Sequence, residues 1–118
     1  MTEIPKLRSL QELRLMVRRV MLESEKIVGK KPNELRLKPM KSQWGSCSSR
    51  GVISINTKLM FLSDRLVAYV VHHEMCHLKV MAHDRNFKMY VEAMFPDRLL
   101  LDRQLRGFGY ILRAGKLG

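Results

Sequence analysis

The run Val70-Val71-His72-His73-Glu74-Met75-Cys76-His77, followed six residues later by His83, decides the reading of this chain and holds all four of its histidines. Inside it, His73-Glu74-x-x-His77 forms an H-E-x-x-H pattern. Residues four apart share a helix face, so both imidazoles can aim at one point. Between Arg65 and Lys79 there is no Lys or Arg, in a chain otherwise full of them. A helix without a basic residue for about three turns is buried on most sides. Ser63-Asp64 is a good N-cap pair to open it.

His83 cannot simply continue that helix. Six residues past His77 is ~600° of helical rotation, which carries the side chain away from the His73/His77 face. If His83 is to reach the same point as His73 and His77, the helix must end soon after Leu78 and the chain turn back, although no Gly or Pro marks the turn. Asp84 is a reasonable N-cap for the next segment, where Phe87, Tyr90, Val91 and Met94 fall at i, i+3, i+4 and i+7. Pro96 ends that helix. A short one around Leu99 to Leu105 is expected next, broken by Gly107 and Gly109.

This pattern fits a hydrolytic zinc site, which takes three protein ligands and keeps a fourth position for water. His73 and His77 supply two ligands, and His83 is the natural third, with Glu92 or Asp84 as the alternatives. A carboxylate one position after the first histidine can reach a water on the metal, whose pKa there falls to ~7. Glu74 is thus the expected base, later passing the proton to the leaving amine. His72 sits about 100° from the ligand face and reads as packing or support behind the ligands. Cys76 reads as a small core residue rather than a fourth ligand. For charge stabilisation beyond the zinc, Tyr90 and Asn56 are the candidates.

Toward the N-terminus, Ser9-Leu10-Gln11-Glu12 is a capping box. Leu13, Met16, Val17, Val20 and Met21 follow as one apolar stripe, and Gly29 and Pro32 stop the helix. Glu34-Leu35-Arg36-Leu37-Lys38 alternates as a half-buried strand does. From Gln43 to Asn56 a hairpin is expected, with Ser48-Ser49-Arg50-Gly51 as its turn. Trp44 in its first arm reads as a core anchor, with a substrate platform as the alternative. The second arm, Val52 to Asn56, is expected to offer an exposed edge beside the zinc for an extended peptide.

The 118 residues are expected to form a single domain, 1–118, with one modest core. No apolar run approaches the ~20 residues of a membrane span, and no signal peptide is visible, so a cytoplasmic protein is expected. Two cysteines, Cys47 and Cys76, make no disulfide framework. The net charge of +11 is spread along the chain, with 12 Lys/Arg against 5 acids in residues 1–50 and 10 against 6 in residues 51–118. Such a surface attracts polyanions, so nucleic acid is a conceivable partner.

The segment Trp44-Gly45-Ser46-Cys47-Ser48-Ser49-Arg50-Gly51-Val52-Ile53-Ser54-Ile55-Asn56 resembles the "WGSCSS-x-G-x-I-x-x-N" segment of YgjP-like metallopeptidases. Tyr69-Val70-Val71-x-His73-Glu74-x-Cys76-His77-Leu78, then His83-x-x-x-Phe87, is similar to the same family's helix and third-ligand histidine, a pattern shared with SprT-like proteases. The likeness runs from about Leu7 to about Leu112. It implies a zinc-dependent peptidase of gluzincin-like type, with His73, His77 and His83 as ligands and Glu74 as base. It also implies a three-stranded sheet whose rim strand binds substrate. YgjP-like proteins usually carry a further N-terminal β-rich region that is missing here, so the chain resembles the small minigluzincins. Val80 stands where metzincins have glycine, which disfavours that class. In minigluzincins the C-terminal segment can block the cleft, so residues 112–118 are a candidate for holding a latent form, the alternative being a solvated tail.

The expected fold is therefore α+β, a small three-stranded sheet packed with three to four helices, zincin-like, with the H-E-x-x-H helix at its site. The expected function is a zinc metallopeptidase acting on peptide or unfolded-protein substrates. The competing readings are a DNA-associated protease, a zinc-dependent hydrolase of nucleotides or other phosphates, and a non-enzymatic zinc module.

Overall fold

The computed structural model describes residues 8–112 and 116–118. Helix α1 spans Leu10–Val28. Ser9 Oγ accepts from the Glu12 amide at 3.1 Å, and the Glu12 carboxylate accepts from the Ser9 amide at 3.3 Å, which is the expected reciprocal box. Gly29 closes the helix at φ 76°, a left-handed cap that a side chain would strain. The predicted stripe Leu13, Met16, Val17, Val20 and Met21 is buried.

Strands β1 (Glu34–Lys38), β2 (Gln43–Cys47) and β3 (Val52–Asn56) follow. The β2–β3 hairpin turns where expected, with Ser48 N–H donating to Val52 O at 2.9 Å and Gly51 at φ 79°. Strand β1 joins β3 in parallel, with Leu35 opposite Ile53 and Leu37 opposite Ile55. A two-residue strand β4 (Lys116–Leu117) adds itself in parallel to β2. The order is β1-β3-β2-β4. The three expected strands are thus present in a mixed sheet with four helices, and a short C-terminal strand extends it.

Helix α2 (Asp64–Cys76) runs through the centre of the molecule, against α1 and the sheet. The Ser63 hydroxyl caps it by accepting from the Leu66 amide at 3.3 Å. Every residue from Leu66 to Cys76 except Ala68 is buried, as the missing basic residues foretold. Val67, Val70 and Val71 are weak helix formers. Their full burial, worth roughly 1.5–3 kcal/mol each, holds the helix in place where propensity would not. Helices α3 (Arg85–Glu92) and α4 (Arg98–Leu112) pack against α2, α4 through the bond of the Tyr69 hydroxyl to the Asp102 carboxylate. No helix among the described residues is long and apolar enough to cross a membrane.

Two expectations are corrected. Strand β3 is no open edge, because it lies between β1 and β2. The parallel β1–β3 pairing joins elements separated by the hairpin, a long-range contact that alternation within each strand does not reveal. Of the three expected strands, the outer one near the histidines is β2, and β4 covers its free edge. Likewise, α4 runs through Gly107 and Gly109 instead of breaking there. A glycine inside a helix costs only about 1 kcal/mol, which burial of Leu101 and Leu105 on the same helix outweighs.

Candidate active site

The end of α2 and the start of α3 bring the histidines together. Past Cys76 the helix tightens: His77, Leu78 and Lys79 donate their amides to Glu74, Met75 and Cys76 carbonyls at 3.0–3.1 Å. These three-residue steps make a 3₁₀-type turn that needs neither glycine nor proline. Asp84 then caps α3 by accepting from the Phe87 amide at 3.0 Å. The chain has turned back, as the spacing required. One ring nitrogen from each of His73, His77 and His83 now lies within 4.8 Å of the others. Glu92 and Asp84 do not belong to this cluster.

Phe87 holds the three rings in place. It stacks on His77 with centroids 4.4 Å apart, and it meets His73 and His83 edge-on at 4.9 and 5.0 Å. Phe87, four residues after His83, is the third residue of α3 and lies against the cluster from the helix's first turn.

The donors fit a metal ion. His77 Nδ1 lies 3.1 Å from Val80 O, which assigns the proton to that nitrogen and leaves Nε2 with a lone pair. That Nε2 faces His83 Nε2 at 3.1 Å and the Gly118 carbonyl oxygen at 2.6 Å. Gly118 O also lies 3.0 Å from His73 Nε2 and 3.2 Å from His83 Nε2. Several acceptor lone pairs thus converge on one small volume, an arrangement that a cation satisfies. Burial pulls the pKa of His73 down to about 3, with repulsion from His77 next, and burial also lowers His77. Neutral imidazoles are the form that binds metal.

Glu74 is fully buried, and among the described residues neither of its carboxylate oxygens has a hydrogen-bond partner. Desolvation drives its pKa well above the ordinary carboxylate value, with the Gly118 backbone acting in the opposite direction. Gly45 of β2 makes room for it. A Cβ at that position would approach Glu74 Cγ to 3.0 Å, Ser54 O to 3.2 Å and Val70 Cγ1 to 3.3 Å. Only a residue without a side chain lets β2 pass this close over the helix.

His72 points the other way. Its Nε2 donates to Tyr90 O at 2.8 Å, and its Nδ1 meets Ser24 Oγ at 2.6 Å. It therefore ties α1, α2 and α3 together behind the cluster, in the supporting role expected. Cys76 is buried, its thiol pushed up to about 12 by desolvation and then by Glu74, and it packs in the core as expected. Trp44 is wholly buried and anchors the core. Asn56, a candidate for charge stabilisation, is committed elsewhere. Its amide donates to Met40 O and Gln43 O at 3.1 and 2.8 Å, and its oxygen accepts from Met40 and Lys58 amides. Tyr90 is linked to the site through its carbonyl bond to His72.

Three features carry no single-residue signal in sequence: Gly45 as a floor for Glu74, Ser24 as a partner of His72, and Gly118 beside the histidines. Each contact joins residues at least 29 positions apart. Of the expected C-terminal segment, residues 113–115 lie outside the described residues; Lys116–Gly118 line the edge of β2, with Gly118 N–H donating to Gly45 O at 3.0 Å.

The metallopeptidase zymogen of Pyrococcus abyssi abylysin is similar in structure. It has a TM-score of 0.69 at 23% identity, over 77% of this chain and 92% of that one. The metallopeptidase zymogen of Methanocaldococcus jannaschii jannalysin is also similar, with a TM-score of 0.64 at 18% identity over 84% of this chain and 96% of that one. At such identities the likeness speaks for the fold. No curated protein matches the sequence. A model of one family, the YgjP-like metallopeptidase domain, matches residues 8–108. With a converging set of side chains that could hold a metal ion and the fold of known metallopeptidases, this chain belongs to the YgjP-like metallopeptidase domain family.

Proposed function

We propose that the chain is a zinc peptidase in which His73, His77 and His83 hold the metal and Glu74 is the general base. The observation that carries this reading is the convergence of three imidazole nitrogens beside a buried carboxylate with no partner of its own. Zinc suits an all-imidazole set of three, and when bound it would polarise the substrate carbonyl and make a water acidic enough to attack at neutral pH. Glu74 takes the proton of the attacking water on its carboxylate and delivers it to the leaving amine. Family membership favours peptide bonds as the target over phosphoesters.

The same reading includes latency. Lys116–Gly118 pair with the outer strand β2, and the Gly118 carbonyl faces all three histidines. A substrate strand needs the same edge and the same oxygen position, so this segment must move aside before a peptide can enter. That both similar structures are zymogens supports the idea.

The test is metal analysis with a protease assay on an unfolded protein. Glu74→Gln is expected to retain one zinc per chain and lose roughly 10²–10⁴-fold in rate. A fully active Glu74→Gln protein would show that the base is assigned wrongly.

A further inference from the structure

Beside His77 lies a cavity of ≈ 360 Å³ whose lining includes Lys30, Lys31, Arg50 and Lys79 but no Asp or Glu. Its walls come from the α1–β1 loop, the β2–β3 turn and the turn after α2. The first two are tied together: Asn33 donates its amide to Gly51 O at 2.8 Å and its side-chain NH₂ to Arg50 O. Gly51 sits at φ 79°, and a Cβ there would press Asn33 Nδ2 at 3.0 Å. The cavity is therefore built into the fold. Arg8, Arg36, Arg65 and Arg98 each have a carboxylate partner, but none of the four cations at the cavity forms an ion pair among the described residues. Four like charges that converge without a counter-ion repel one another, and an anionic ligand relieves that cost.

The path of the chain's own C-terminal segment gives the cavity a direction. Lys116 lies opposite Gln43 and Leu117 opposite Gly45, so Gly118 comes to rest against Ser46. An extended peptide advances about 3.3 Å per residue. Continued past the Gly118 position, it would run along Cys47 to Ser48 and Arg50, which line the cavity. The residue whose carbonyl faces the histidines would then be followed, two or three positions later, by side chains at the four cations.

We propose that this cavity is a substrate subsite selecting acidic side chains at the second and third positions after the bond to be cut. The proposal rests on the peptidase reading above and adds its substrate class. A nucleic-acid strand would also be attracted by the charge, but the cavity is lined by His77 and by Ser48, the residue that follows β2, which places its occupant in line with a bound peptide.

The test uses the full chain with zinc. Peptides of one sequence carry Glu-Glu, Gln-Gln or Lys-Lys at those two positions, and they compete in a single mixture. The C-terminal segment competes equally with each, so the ratio of cleavage rates is independent of latency. The Glu-Glu peptide is expected to be cut roughly tenfold faster than Gln-Gln, and Lys-Lys slowest, as two or three partly screened ion pairs would give. In the Lys31→Glu/Lys79→Glu variant the order should invert. Equal rates for the three peptides, an acidic preference that survives charge reversal, or one that appears only when the acids precede the cut would each overturn the proposal. If neither the peptides nor unfolded casein are cleaved even by the Gly118→Val protein, whose C-terminal segment can no longer seat on β2, the peptidase reading has failed separately. Fluorescence anisotropy of labelled peptides on the full chain then decides the subsite: selective Glu-Glu binding lost in the variant supports it, and no selectivity overturns it. Displacement of that peptide by a single-stranded oligonucleotide at far lower concentration than by unlabelled Glu-Glu peptide would assign the cavity to nucleic acid instead.

Discussion

Gly45 of the outer strand and Glu74 of the central helix are in mutual contact, with the Cβ position of Gly45 only 3.0 Å from Glu74 Cγ. Ser54 O and Val70 Cγ1 close the other sides, so neither strand nor helix has space to retreat. Gly45→Ala should therefore push the carboxylate off its position while leaving the three histidines in place. Since an ångström of misplacement can cost about 10²-fold, the variant should bind zinc normally and lose activity by about that factor. Metal stoichiometry and turnover measured on the same sample check this; wild-type turnover would refute it.

Gly118 gives the opposite effect. A Cβ there would come within 2.7 Å of Ser46 Cα and 2.8 Å of Gly45 O, both backbone atoms that cannot swing aside. Gly118→Val should thus dislodge Lys116–Gly118 from β2 and release the site. Peptidase activity is expected to rise by roughly tenfold or more, the loss of a contact worth about 1.4 kcal/mol. Activity below wild type would contradict the blocking role.

Phe87 supports both packing and ligand geometry. Phe87→Ala should lower stability by about 3–5 kcal/mol and weaken zinc binding by roughly 10–100-fold. Phe87→Leu, which keeps bulk without an aromatic face, should recover most of the stability and less of the affinity. Chemical denaturation and competition with a chelating dye separate the two effects.

The pH response of the metal-free protein follows from three depressed imidazoles. Burial lowers His72, His73 and His77, with His73 pulled down to about 3. In the folded state these rings stay neutral below their ordinary pKa of about 6.5, whereas the unfolded chain takes up protons there. Stability is thus unaffected well above about pH 6.5 and falls as pH drops from that value toward the folded pKa values. At about pH 5, His73 alone should cost about 2 kcal/mol relative to pH 7.5. Urea unfolding at the two pH values measures it; zinc, which also holds the folded rings deprotonated, should raise stability at both pH values without removing the difference. An unchanged midpoint would show that these rings are not held neutral.

Much of this protein is legible in its sequence because the signals are local. The Ser9/Glu12 capping box, the α1 stripe, the Ser63 and Asp84 caps and the H-E-x-x-H spacing all depend on residues a turn or two apart. Helical periodicity, with His83 taken to join His73 and His77, also called for the turn between His77 and His83, though the tightening that makes it leaves no residue-type mark. Whatever depends on which strand lies beside which was decided only by the tertiary structure. Parallel pairing of β1 with β3 buries the strand that seemed an open edge and hands that role to β2. The same assembly sets Gly45 over Glu74, Ser24 behind His72, and Gly118 before the histidines. Such contacts are long-range, and no period within one segment encodes them. The sequence by itself determined which side chains can do the chemistry, because a helix fixes their spacing. Packing determined what surrounds them, because burial and strand order are properties of the whole chain.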